Sequence, residues 1–234
     1  MTSSLRIFGS ERILPLWPSL IESPVLTQFT WSPLVEMALE KNMHLLRPPE
    51  ETPIPPSFPH LPAGDKCSPI PGLLALHIRR GDFAGYCDHF ARYSSTWNGF
   101  NSFAALPDKF VPPPRESSGE PPPPEVADYY RKHCFPTIDQ IVDKVMDVKA
   151  TSVGKNLRRV YILTNGVSEW VTQLKEALRK AAKWENIVSS KDIELNREQK
   201  YIATAIDMMI GQKGQVFVGN GVCDFLFMVL RACC

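Results

Sequence analysis

The sequence carries almost no net charge: 26 Lys and Arg stand against 25 Asp and Glu, for a formal +1. That excludes the basic footprint of a nucleic-acid binder, so no nucleic-acid partner is expected. No apolar run approaches the length of a membrane span, and no secretory signal precedes the first polar residues. A soluble chain as written, with no membrane segment, is the expectation. No internal repeat is present. None of the six cysteines belongs to a zinc-type pair of pairs, and the adjacent Cys233 and Cys234 lack a chelate spacing. The 234 residues suit one or two domains with a sizeable core.

What the chain has in quantity is proline, 22 residues of it, and the prolines divide the sequence. Pro48-Pro49, Pro53, Pro55-Pro56, Pro59 and Pro62 mark a rigid, extended linker over 48–71. Pro112 to Pro114 and Pro121 to Pro124 frame a second loop over 107–124. Such clusters are ligands for proline-binding modules or, more simply, spacers. Before Pro48 one helix is expected from Ser32-Pro33, with Leu34, Met37, Ala38 and Leu45 apolar and Trp17, Phe29 and Trp31 nearby. Residues 1–47 look too few to fold alone.

After the second loop the pattern turns regular. Cys134, Ile138, Ile141, Val145 and Val148 make a helical stripe that Pro136 starts or breaks. Arg159 to Leu163 reads as a strand with Thr164-Asn165-Gly166 as its exit. Trp170, Leu174, Ala177, Leu178 and Ala181 give a helix, and Ile187-Val188 a short strand. Asn196 and Gln199 resemble a capping box for a helix carrying Tyr201, Ile202, Ala205, Ile206, Met209 and Ile210. Gln215 to Val218 reads as a strand ended by Gly219-Asn220-Gly221. This alternation predicts an α/β fold, a Rossmann-like parallel sheet covered by helices over 72–234.

The most informative stretch is His77-Ile78-Arg79-Arg80-Gly81-Asp82-Phe83. It follows the apolar run Leu73 to Leu76, which has the make-up of a buried strand bounded by Pro71-Gly72. Cationic side chains are costly to bury, so a buried strand ending in them is unusual. Ligands of open α/β sheets bind outside the carboxyl ends of strands. Strand geometry puts His77 and Arg79 on one side and Arg80 on the other. One imidazole and one guanidinium then converge on a phosphate or carboxylate. The plainer alternative is an arginine pair bridged to a neighbouring helix. Arg80-Gly81-Asp82 also spells a cell-adhesion tripeptide, but one poorly placed for display. Gly219-Asn220-Gly221 is either an ordinary turn or a nest of N–H groups for an anion. Cys87 lies just past the arginines and Cys134 near the start of a helix. They are either a disulfide, which implies an oxidising compartment, or two buried thiols.

Taken together, His77 to Phe83 and Asp207 to Gly221 resemble the GDP-fucose protein O-fucosyltransferase family, nearest its fungal branch. Leu106-Pro107-Asp108-Lys109-Phe110 and Tyr161 to Gly166 extend the resemblance, which covers most of Leu73 to Gly221. The family has two Rossmann-like domains facing a cleft, and this chain resembles mainly the C-terminal, nucleotide-binding half of such a glycosyltransferase. Residues 1–47 then read as a remnant of the N-terminal domain. The resemblance implies that His77 and Arg79 contact the GDP diphosphate, with Arg79 catalytic through charge developing on the leaving phosphate. It implies that Asp207 contacts the guanine nucleoside; without it, Asp207 reads as a solvated helix carboxylate. Gly219, Asn220 and Gly221 join the donor site, and Arg80 is assigned to structure. The implied reaction is inverting transfer of fucose from GDP-fucose to a Ser or Thr hydroxyl. No cofactor and no metal are expected, and the sequence contains no Asp-x-Asp motif. The expected partner is a nucleotide sugar. Full-length relatives are expected in the secretory pathway, in the endoplasmic reticulum or Golgi.

Two departures stand out. The family's glycine-rich loop of the N-terminal domain has no match before Pro48. Its Ser- and Thr-rich phosphate-binding stretch is replaced by Val222-Cys223-Asp224-Phe225-Leu226. A thiol, a carboxylate and an alkyl group thus stand at Cys223, Asp224 and Leu226. At ~4 Å, carboxylate–phosphate repulsion is about 1 kcal/mol in water and about 4 kcal/mol in a less polar cleft. A truncated or weakly active family member is therefore expected. The alternatives are a non-catalytic nucleotide- or glycoprotein-binding module of the same fold and an interaction protein built on the proline segments.

Overall fold

The computed structural model describes residues 11–47, 68–96, 110–114 and 120–220. Most of the proline-rich linker, part of the second proline loop, Leu106 to Lys109, and Gly221, Cys223, Asp224 and Leu226 lie outside the described residues.

A 3-10 turn, Glu11–Leu16, leads into the short helices α1 (Trp17–Ile21) and α2 (Pro24–Thr27) and the longer α3 (Pro33–Leu46). Strand β1 (Ile70–Ile78) is followed by a 3-10 turn (Gly81–Phe83), α4 (Ala84–Arg92), α5 (Pro124–Cys134) and α6 (Ile138–Ala150). Then come β2 (Arg159–Thr164), α7 (Ser168–Ala181), β3 (Asn186–Ser189), α8 (Arg197–Tyr201), α9 (Ala203–Gln212) and β4 (Gly214–Gly219).

The expected α/β architecture holds. The four strands are parallel in the order β3-β2-β1-β4. Successive strands step outward from β1 to β3, and the chain then returns to lay β4 on the other side of β1. Helices cover both faces. Leu73 and Ala75 of β1 pack with Tyr161, Leu163 and Val188 under α3 and α9. Leu74, Leu76 and Ile78 pack with Val160, Ile162 and Ile187 under α6 and α7. Alternate residues of one strand thus feed two cores, which is why β1 reads as an unbroken apolar run. A third cluster joins α4 to α5 through Cys87, Ala91, Val126, Tyr130 and Cys134.

Several local expectations are corrected. β1 begins at Ile70, so Pro71 and Gly72 lie inside it. The register shifts between Ile70 and Leu74, Gly72 sits at φ 74°, and its N–H is taken by Gln215 Oε1 at 2.6 Å. A side chain thereby repairs the ladder where regular pairing lapses. Met37 is not on the buried face of α3; Val35, Ala38, Leu39, Asn42 and Leu46 are, and they place α3 in the same core as the sheet. The stripe from Cys134 to Val148 is split. Cys134 ends α5, and α6 starts afresh behind Thr137, whose side chain forms a capping box with Gln140. The Asn196–Gln199 box forms as expected, but its helix stops at Tyr201 and α9 restarts at Ala203.

Candidate functional site

The strand order β3-β2-β1-β4 sets β4 beside β1, on the side away from β2. Ligands of open α/β sheets bind beyond the carboxyl ends of the strands, so the end of the β1–β4 pair is the candidate site. Two of the expected exits meet at it: His77 to Asp82 from β1, and Gly219-Asn220 from β4, with Gly219 registered against His77. The exit of β2 borders β1 on its other flank.

His77 continues the Leu73 and Ala75 face of β1, and its ring stacks at 6.5 Å on Phe217 of β4. Burial, helped by the charge of Arg79, pushes its imidazole down to about 4. At neutral pH the ring is therefore uncharged, a hydrogen-bonding group rather than a cation. Arg79, just past the end of β1, is exposed, its guanidinium 5.7 Å from the Phe83 ring.

Arg80 turns to the face opposite His77, as strand alternation requires. Its guanidinium lies between Phe135 at 3.8 Å and Trp170 at 4.4 Å and donates to Pro136 O at 2.8 Å. Desolvation lowers its pKa. Arg80 is held by aromatic faces and a carbonyl rather than by a helix carboxylate.

The backbone that aims Arg79 is tightly specified. Asn220 is buried and acts as a clamp: its N–H donates to His77 O at 3.2 Å, and its Oδ1 accepts the Arg79 N–H at 3.2 Å. Its Nδ2 donates to Arg79 O at 3.2 Å and to Cys134 O at 2.6 Å. The Asn220 N–H is therefore used within the fold, and a nest built on it has one donor fewer for an anion. From the other flank, Asn165 Oδ1 accepts the Arg80 N–H at 2.7 Å, and Thr164 Oγ1 donates to Ile78 O at 2.7 Å. Gly81 sits at φ 66° with an ideal Cβ only 3.0 Å from Asn165 Nδ2, so both conformation and space demand glycine.

Cys134 O, the anchor for Asn220, belongs to a cystine. Cys87 and Cys134 are bridged, with Cα atoms 5.8 Å apart. The bridge fastens α4, which follows the Arg79 turn, to the end of α5.

Asp207 lies on α9, on the same sheet face as His77, toward the carboxyl end of β3. It is not a solvated carboxylate. Tyr161 donates to Oδ1 at 2.5 Å and Ser190 to Oδ2 at 2.8 Å. Burial pushes its pKa up to about 6, against the two hydroxyl bonds that pull it down. Tyr161 and Ser190 escaped sequence reasoning: a Tyr within an apolar strand reads as core, and nothing local signals a carboxylate 46 residues away.

Among the described residues, no group of three or more His, Cys, Asp or Glu side chains is placed to hold a metal ion. Nor, among them, is any helix long and apolar enough to cross a membrane.

Among solved structures the chain is similar to POFUT1 in complex with GDP: 16% identity, TM-score 0.46, covering 89% of this chain and 46% of that one. It is also similar to POFUT1 in complex with GDP-fucose: 17% identity, TM-score 0.42, covering 86% of this chain and 43% of that one. The chain thus spans less than half the length of these structures. No curated protein matches it significantly. The family model for GDP-fucose protein O-fucosyltransferase matches residues 30–232, which takes in α3 and all four strands. A match over most of the sequence settles membership: the chain belongs to the GDP-fucose protein O-fucosyltransferase family.

Proposed function

We propose that this chain binds GDP-fucose at the carboxyl end of the β1–β4 pair and serves transfer of the fucosyl group to a Ser or Thr hydroxyl. The observation that carries this reading is the family match over residues 30–232, which includes the His77 and exposed Arg79 exit of β1. Arg79 is the catalytic residue. As the bond from fucose C1 to the β-phosphate oxygen breaks, the electron pair passes to GDP, and a fixed guanidinium stabilises the charge that appears. The acceptor oxygen forms the new bond to C1 from the opposite side, and its hydroxyl proton is released to solvent. Neutral His77 orients the diphosphate through a ring N–H. Asp207 selects guanine, and Asn220 and Gly219 shape the exit that carries Arg79. The Cys87–Cys134 bridge supports residence in an oxidising compartment such as the secretory pathway.

Calorimetry tests the reading. The native chain is expected to bind GDP but not ADP, and Arg79→Ala to lose about a hundredfold or more in affinity or transfer rate. GDP release with a fucosylated acceptor marks turnover. Absence of GDP binding by the folded native chain overturns the proposal. The residues at Cys223, Asp224 and Leu226 favour a second reading, a nucleotide-binding module without turnover; GDP binding with no GDP-fucose consumption identifies it.

A further inference from the structure

Tyr161 is fully buried in an apolar cluster with Leu73, Ala75, Leu163 and Val188. A phenylalanine would fill that space without bringing a hydroxyl into it. The hydroxyl has one direct use here, the 2.5 Å bond to Asp207 Oδ1. A hydroxyl so buried must be hydrogen-bonded, and its partner is an ionisable group. On the other carboxylate oxygen, Ser190 Oγ lies 2.8 Å from Oδ2 and 3.3 Å from Ile162 O. A hydroxyl has one proton, and the shorter contact to the carboxylate is the better use of it. Ser190 Oγ also accepts the Thr164 N–H at 3.3 Å, which fixes its position at the end of β3.

The arrangement is costly as mere packing. No ion pair joins Asp207 among the described residues, and its burial disfavours the charge. A half-buried carboxylate held by neutral donors, on the sheet face that carries His77, is a mark of a functional site. Each of its oxygens takes one donor from the chain, and each oxygen of an ionised carboxylate accepts two. One acceptor position therefore remains on each oxygen. Guanine presents two adjacent donors, the ring N1–H and the exocyclic N2–H, which match a carboxylate fork. Hypoxanthine presents one of them, and adenine has no N1–H.

We propose that Tyr161 and Ser190 are positioning residues that hold the Asp207 carboxylate as a two-oxygen acceptor for guanine, setting base specificity without touching the nucleotide. This rests on the GDP reading given above. It assigns to two residues outside the diphosphate site a role in choosing between donor nucleotides.

The test compares GDP and IDP binding by calorimetry on the full chain, native and as Tyr161→Phe, Ser190→Ala and Ser190→Thr. Thermal unfolding checks that each variant folds. The native chain is expected to prefer GDP over IDP by about tenfold or more, the scale of one hydrogen bond to a charged group. Tyr161→Phe and Ser190→Ala are each expected to shrink that preference severalfold, and Ser190→Thr, which keeps the hydroxyl, to restore it. Equal loss of GDP and IDP affinity in both folded variants, or an unchanged preference, overturns the positioning role while leaving the GDP reading intact. Absence of GDP binding by the native chain overturns both. Ser190→Ala keeps the question answerable if Tyr161→Phe fails to fold.

Discussion

The two faces of β1 are built from alternate residues of one strand, yet they end in different chemistry. The face under α6 and α7 is apolar from Leu74 through Leu76 to Ile78, and it closes with Arg80 held between Phe135 and Trp170. The face under α3 and α9 starts equally apolar, with Leu73 and Ala75. It then turns polar, with His77 stacked on Phe217 and the Tyr161–Asp207–Ser190 set under α9. One face carries stability to the tip of the strand. The other holds an imidazole and a carboxylate whose desolvation costs stability. The two neighbouring arginines differ in setting: Arg80 is held between two rings, and Arg79 is exposed.

The sharpest way to test this division is on the apolar face. Leu76 is fully buried, so Leu76→Ala is expected to destabilise the protein by about 3 kcal/mol through lost burial and an unfilled cavity. Its denaturation midpoint should fall, while the GDP affinity of the remaining folded protein stays near native. Next in size is the arginine pair. Arg80→Ala removes two aromatic contacts and the bond to Pro136 O, for a loss of about 1–2 kcal/mol in chemical denaturation. Arg79→Ala is expected to leave the midpoint nearly unchanged and to strike nucleotide binding. If both variants lose stability and binding alike, the division of labour fails.

The smallest effect is the pH dependence that His77 and Asp207 contribute. The His77 pKa falls from 6.5 to about 4 on folding, so its contribution is present above pH 6.5 and lost as pH drops through about 4. The Asp207 pKa rises from 3.8 to about 6, so its contribution is present below pH 3.8 and lost as pH climbs through about 6. The two trends oppose each other between those limits. Thermal unfolding of Asp207→Asn across pH 4 to 8 separates them. Relative to native, the variant should gain stability as pH rises from about 4 to about 6 and level off above that. A difference that does not vary with pH would mean that Asp207 is not shifted by burial.

Much of this was legible in the residues. The apolar run before His77, the strand at Arg159 to Leu163 and the helical stripe from Trp170 to Ala181 depend on local periodicity, and each formed. The side that Arg80 takes follows from the same periodicity. Errors fell where one local signal overrode another. Pro71-Gly72 reads as a boundary, yet Gln215, distant in sequence, supplies the hydrogen bond that lets the strand begin earlier. Pro136 was a recognised breaker, but the Thr137–Gln140 box was needed to show that Cys134 closes one helix before another opens. Asn220 reads as a turn residue, and its clamp on Arg79 exists only because β4 pairs with β1. The Tyr161–Asp207 contact likewise depends on the layer of helices, not on either segment's own pattern.

The cystine has a consequence for how this architecture can vary. Cys87 and Cys134 close a covalent ring with a sequence separation of 47, and the Cys134 carbonyl anchors the Asn220 clamp. The closure entropy of a ring grows only logarithmically with its length. A change in the length of the arc between α4 and α5 therefore carries little closure penalty, because the bridge and the packing of Ala91, Val126 and Tyr130 together set where the two helices stand. Length can thus vary there while the exit of β1 keeps its place.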